Sequence, residues 1–233
     1  MDLKDLDSVS PRNAEDNLHE YLYAARDVFN TELFGDALPL CVITLQRKNR
    51  SYGYFAAQQF GSKDFEETRD EIALNPVHFN NRSLIECLAT LAHEMVHQYQ
   101  FHNGTPGRGP YHNKEWAGMM SSIGLQSTST GDETGKPTGD KVTQIIVPGG
   151  PFETVANLLI ESGFALDWYD RTEILRAELE EKEQSKPSRS GIRVKYVCPD
   201  ETCKQYSLSG IDAEIACVRH DAQLVPEQKK KRR

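Results

Sequence analysis

The chain has 233 residues, 38% hydrophobic and 27% charged, enough for one domain of ordinary size plus a small appended module but not for two large domains. No apolar run reaches the roughly 18 residues of a membrane span, and the acidic start (Met1, Asp2, Leu3, Lys4, Asp5) lacks the basic and apolar stretches of a secretory signal, so we expect a cytoplasmic protein without a membrane partner. The net charge of -8 excludes a chain that coats nucleic acid over its whole surface, yet the charge is uneven: residues 1–181 carry 15 basic and 28 acidic side chains, residues 182–233 carry 12 and 7, and the chain ends in Lys229, Lys230, Lys231, Arg232 and Arg233.

In chain order, Leu18, Leu22, Ala25, Val28 and Phe29 recur at helical spacing and predict an amphipathic helix over residues 14–33, stopped near Gly35. Three stretches rich in branched or aromatic residues, 40–45, 53–60 and 71–74, predict the strands of a small antiparallel or mixed sheet. The last of them, Glu71 to Leu74, is a candidate edge strand on which an extended peptide could lie.

Ser83, Leu84, Ile85 and Glu86 have the form of a capping box and predict a helix start, because Ser and Glu three apart satisfy each other's free amides. Behind it, Leu84, Leu88, Leu91, Met95 and Tyr99 form an apolar stripe, and Glu86, Thr90, His93, His97 and Gln100 form a polar wall opposite. A Gly/Pro loop over 103–110 separates this helix from a second, 113–123, with Trp116, Met119, Met120 and Ile123 inward. Residues 127–141, loaded with Ser, Thr, Gly and Asp, predict an exposed loop. A short strand over 144–147, a tight Pro148-Gly149-Gly150-Pro151 turn and a helix over 152–161 follow. Residues 172–184 read as a charged helix and 185–191 as a linker. Taken together these elements make an α+β chain, with residues 14–165 as the main domain, 166–191 as charged helix and linker, 192–225 as a small β module and 226–233 as a basic tail.

The chemistry concentrates in His93-Glu94-Met95-Val96-His97. On a helix, two His four apart project from one face at a spacing that lets both imidazoles grip one ion, and neutral His nitrogen suits Zn²⁺. Glu94 sits beside such an ion without ligating it, placed to take a proton from water. A catalytic zinc site has three protein ligands and an open position. For the third, His112 can be brought back by the Gly/Pro loop and Glu115 is the carboxylate fallback. His102, near the frayed helix end, reads as solvated, and His19, His78 and His220 are placed unfavourably.

Cys41 and Cys87 stand alone in apolar segments, as buried thiols do, whereas Cys198, Cys203, Cys217 and His220 crowd together near the C-terminus. Two close pairs about a dozen residues apart describe a zinc ribbon, a closed site that holds a second, structural Zn²⁺ and compensates for a module too small to bury a core.

The helix bearing His93, Glu94 and His97, the glycine-rich gap, and Tyr111-His112-Asn113-Lys114-Glu115-Trp116 resemble the SprT-like metalloprotease domain, which includes the Spartan-type proteases that digest DNA-protein crosslinks. The resemblance extends over about residues 14–165, and the 147–152 turn is similar to that of phage and mobile-element members. It implies a zincin-like core, catalytic zinc on His93, His97 and His112, and catalysis by Glu94. It also implies protein substrates that are bound or crosslinked to DNA, with the ribbon and basic tail as the DNA contacts. A reading from a different class is a zinc-dependent nucleic-acid-binding adaptor without catalysis; an intact Glu94 speaks against it, because a retired site has no need of a base.

Overall fold

The computed structural model describes residues 14–48, 51–64, 66–184, 193–210 and 212–227, and the chain divides into two compact units after Glu173. The 185–191 linker and the terminal Lys/Arg run lie outside the described residues. Both units mix helix and strand, and among the described residues no helix is long and apolar enough to cross a membrane.

The first unit opens with α1 (Ala14–Phe34), whose predicted stripe does become core: Leu18, Leu22, Ala25 and Phe29 are buried. Three strands follow, β1 (Cys41–Leu45), β2 (Gly53–Gly61) and β3 (Thr68–Leu74), in the order β1-β3-β2, with β1 parallel and β2 antiparallel to β3. Glu71 to Leu74 therefore lie on the middle strand and not, as the sequence suggests, on an edge. The reason is visible in its burial, which is continuous from Asp70 to Leu74, as in a strand covered on both faces. Its two acids are not solvent-facing but satisfied inside. Asp70 accepts from the Gln58 amide at 2.8 Å and from Gln98 Nε2 at 2.8 Å, and Glu71 accepts from Thr44 Oγ1 at 2.6 Å. The Gln58 contact coincides with a bulge in β2, where Gln58 takes a positive φ of 51°.

The central helix α2 (Leu84–Asn103) starts at the expected capping box, with the Ser83 amide donating to Glu86 Oε2 at 2.8 Å. Leu88, Leu91 and Met95 are fully buried, and of the polar wall Thr90, His93 and Gln100 are buried as well, with Glu94 and Gln98 beside them, while His97 is half-buried and Glu86 exposed, so most of the wall faces protein and not water. What covers it is β2, then α3 (Lys114–Ser122), which is capped by Asn113 accepting from the Trp116 amide at 2.9 Å, and a hairpin of β4 (Leu125–Thr128) with β5 (Thr143–Ile146). Part of the 127–141 stretch expected to be loop is therefore the buried end of a strand. Ser127 and Thr128 are buried, and the Thr128 hydroxyl donates to the Asp132 carbonyl at 2.6 Å. Helix α4 (Pro151–Glu161) has proline in its first turn and closes the core with Phe152, which lies 5.5 Å from Phe29 ring to ring.

The second unit comprises most of α5 (Thr172–Gln184), then β6 (Val194–Val197), β7 (Tyr206–Ser209), β8 (Ala216–Cys217), β9 (Ala222–Gln223) and β10 (Val225–Pro226). β10, β6 and β7 make one antiparallel sheet and β8 pairs with β9. Among the described residues its buried core is only Tyr196, Cys198, Cys217 and Leu224, too little apolar surface to hold a module of this size unaided.

Candidate metal centres

Helix α2 carries His93 and His97 one turn apart, and the loop after it returns His112 to the N-terminal side of α3. The ligand atoms of the three imidazoles lie within 4.8 Å of one another, and His97 Nε2 and His112 Nε2 are 3.1 Å apart. An ion bound at about 2.0–2.1 Å places two nitrogens of a tetrahedral set about 3.4 Å apart, so the His97–His112 spacing is close to that of two ligands on one zinc ion.

The rings are fixed from three sides. Trp116 is fully buried, and its ring lies 4.8, 4.9 and 4.4 Å from those of His93, His97 and His112. His93 Nδ1 is 3.0 Å from Gln144 Oε1 on β5, and His112 Nδ1 is 2.9 Å from the Gly139 carbonyl. Both acceptors are oxygens, so both Nδ1 atoms carry hydrogen, leaving Nε2 of each ring as the lone pair.

Electrostatics favour the neutral rings that a metal requires. Burial, and then the neighbouring His112, push His93 down to about 3. Burial also takes His97 well below its ordinary value, and it lowers His112 against the opposing pull of the Gly139 carbonyl and Asp140. Glu94 is 6% exposed and stands outside the imidazole trio. Burial raises its carboxyl to about 8, against the weaker pull of Lys48 and the Phe55 amide. A cation beside it would reverse that shift and restore the carboxylate.

The other candidates lie elsewhere. Glu115 Oε2 accepts from the Thr105 amide and from Gln100 Nε2, both at 2.7 Å, and so pins the 103–113 loop; it is not among the clustered ligand atoms. His102 is not simply solvated. Its Nε2 is 2.7 Å from Asp70 Oδ2, and its side chain is 30% exposed, because the buried carboxylate on β3 needs a donor that the helix end can supply. Sequence reasoning missed Gln144 and Gly139 altogether. The one available signal was a polar Gln in an otherwise apolar short strand.

In the second unit, Cys198, Cys203, Cys217 and His220 bring four ligand atoms within 4.8 Å of one another. Cys203 Sγ and Cys217 Sγ are 3.8 Å apart, and Cys198 Sγ is 3.5 Å from His220 Nδ1. Zn–S bonds of about 2.3 Å put tetrahedral sulfurs about 3.8 Å apart, so this set fits the same ion. All three are free thiols. Burial works against ionising Cys217, but the Arg219 and His220 amides and the His220 ring outweigh it and bring this thiol down to about 6, while burial holds Cys198 up at about 11. Cys41 and Cys87 are buried in the first unit and belong to neither cluster of ligand atoms; burial raises both thiols, Cys87 to about 11.

The sequence model of the SprT-like family matches residues 22–135, a span that includes all three imidazoles and Glu94. An uncharacterized protein in the mucB 3′ region of Salmonella typhimurium is 44% identical over 54 residues, which is 23% of this chain and 73% of that protein. No solved structure gives a match.

Proposed function

Because the chain belongs to the SprT-like family, we propose that it is a zinc-dependent metalloendopeptidase with a zincin-like core, in which His93, His97 and His112 hold the catalytic ion and Glu94 is the general base. The observation that carries this reading is the convergence of the three imidazoles' ligand atoms within 4.8 Å, with the buried carboxylate of Glu94 next along the helix from His93. Zinc at this position would supply Lewis acidity, acidifying water and polarising the scissile carbonyl. Glu94 takes the proton from the attacking water and returns it to the leaving amine, so one carboxylate serves as base and then as acid. Trp116 and the surrounding core exclude bulk water from the rear of the site.

The substrate strand belongs along β2, which is a sheet edge, not along the central β3. Gly53 on β2 lies against Thr90 and Glu94, so a peptide added to that edge runs past the base. The Cys198, Cys203, Cys217 and His220 set is proposed to hold a second, structural zinc in a ribbon-like module. DNA-bound or DNA-crosslinked proteins are the proposed substrates, with the ribbon and the basic tail as the DNA contacts. Support for this comes from the +5 balance of residues 182–233 against the acidic remainder.

The test is a peptidase assay on a DNA-bound protein, with and without DNA, comparing wild type with Glu94→Gln. DNA-stimulated cleavage that weakens at high salt and vanishes in Glu94→Gln is expected. Cleavage that is indifferent to DNA would leave a general peptidase, and full activity in Glu94→Gln would remove the base assignment.

A further inference from the structure

The three imidazoles come from two segments, α2 and the loop before α3, and something must hold those segments in register. The two ring nitrogens that meet an oxygen acceptor, His93 Nδ1 and His112 Nδ1, find it on one further segment, the β4–β5 hairpin with its connection. Gln144 is on β5, paired across the hairpin with the buried Ser127, and its side-chain oxygen meets His93 Nδ1 at 3.0 Å. Gly139, at the end of the same hairpin's connection, exchanges two backbone hydrogen bonds with His112, at 2.9 and 3.1 Å, and its carbonyl also meets His112 Nδ1 at 2.9 Å. Gly139 has a φ of +146°, a backbone conformation that other residues rarely adopt, so the sequence commits a glycine to this contact. Gln144 and Gly139 both lie beyond residue 135, where the match to the family ends.

We propose that the β4–β5 hairpin is the positioning clamp of the catalytic metal centre, with Gln144 setting the tautomer and orientation of His93 and the Gly139 carbonyl doing the same for His112. The inference rests on the metallopeptidase reading and adds to it the residues that preorganise the ligands. The clamp uses neutral acceptors. A carboxylate on His93 would make that ring more basic and bind metal more tightly, but it would also weaken the ion's Lewis acidity. A neutral amide orients the ring and leaves the ion's charge undiminished. Gln144 is thus a positioning residue that acts through His93, and it tunes the centre toward acidity at some cost in affinity.

The experiment uses the full chain with Trp168→Phe, which leaves Trp116 as the single tryptophan against the three rings. Co²⁺ and Zn²⁺ affinities are read from Trp116 fluorescence for the parent, Gln144→Leu and Gln144→Glu, alongside the pH dependence of kcat/KM and the melting temperature of each. Gln144→Leu should bind metal about 10–100-fold more weakly. Gln144→Glu, which keeps an acceptor at the same reach, should bind at least as tightly as the parent, with the acidic limb of its activity profile displaced to higher pH. Parent-like affinity in a folded Gln144→Leu would overturn the clamp, and so would an equal loss in Gln144→Glu, since a restored acceptor ought to rescue. A parent that binds no metal at the imidazoles would instead sink the metallopeptidase reading itself, so the two failures are distinguishable.

Discussion

Glu94 and the imidazoles around it make opposite demands on the protein when no metal is bound. The buried His residues have folded pKa values below their ordinary 6.5, so the unfolded chain binds more protons and stability falls as pH drops below that value. Glu94 is the reverse case: raised from 4.5 to about 8, it is protonated in the fold where the unfolded chain is ionised, and its contribution is lost as pH rises from 4.5 to 8. In the metal-free protein Glu94 should therefore withdraw about 2 kcal/mol of stability between pH 6.5 and pH 8, read as the difference between wild type and Glu94→Gln so that the opposing gain from the depressed Cys217 thiol cancels. Glu94→Gln, followed by denaturant unfolding at each pH, should abolish that alkaline loss; an unchanged profile would place the titrating group elsewhere. The same substitution in the zinc-loaded protein should leave zinc content intact and reduce kcat by about 10²–10⁴-fold. Of these residues His93, Glu94 and His97 were legible in the sequence because a helix fixes their relative positions within five residues. His112 was legible only as the best of several candidates, since a glycine-rich loop encodes that the chain turns but not where it arrives. The Asp70 contact of His102 was illegible for the same reason: its partner is 32 residues away on another element.

At the scale of elements, the helices were readable from caps and periodicity, and α2 begins at the capping box that announced it. Strand order was not. Local composition marks residues 71–74 as a strand, but whether it sits at an edge or in the middle depends on which other segments pair with it, and parallel pairing with β1 leaves no short-range trace. The 127–141 stretch misled for a related reason: hydroxyl-rich sequence is loop-like unless the hydroxyls find partners inside, as that of Thr128 does. The close approach of β2 to α2 gives a test at this scale. A Cβ at Gly53 would sit 2.8 Å from the Ala73 carbonyl oxygen and 3.2 Å from Glu94 Oε1. Gly53→Ala should consequently destabilise the fold by about 1–3 kcal/mol and displace the base. Activity in the surviving folded fraction should fall as well, as measured by active-site titration. A variant with full activity per folded molecule would show that β2 does not press on Glu94.

For the molecule as a whole, the two compact units differ in how they are held together. The first has an extended apolar core running from Leu18 to Phe164, whereas the second has, among its described residues, four that are buried, two of them candidate zinc ligands. Two zinc ions per chain are expected. Cys217→Ser should leave one, and hydrogen exchange should then show loss of protection over residues 193–227 with protection of α2 unchanged. Retained protection would mean that the small module folds without metal.

The most direct measurement is anomalous diffraction from crystals of the zinc-loaded protein at the zinc absorption edge. A peak is expected about 2.0–2.1 Å from nitrogens of His93, His97 and His112, with the Glu94 carboxylate next to it but outside bonding distance. Rings turned away from one another, or density for zinc at the cysteine cluster alone, would contradict it.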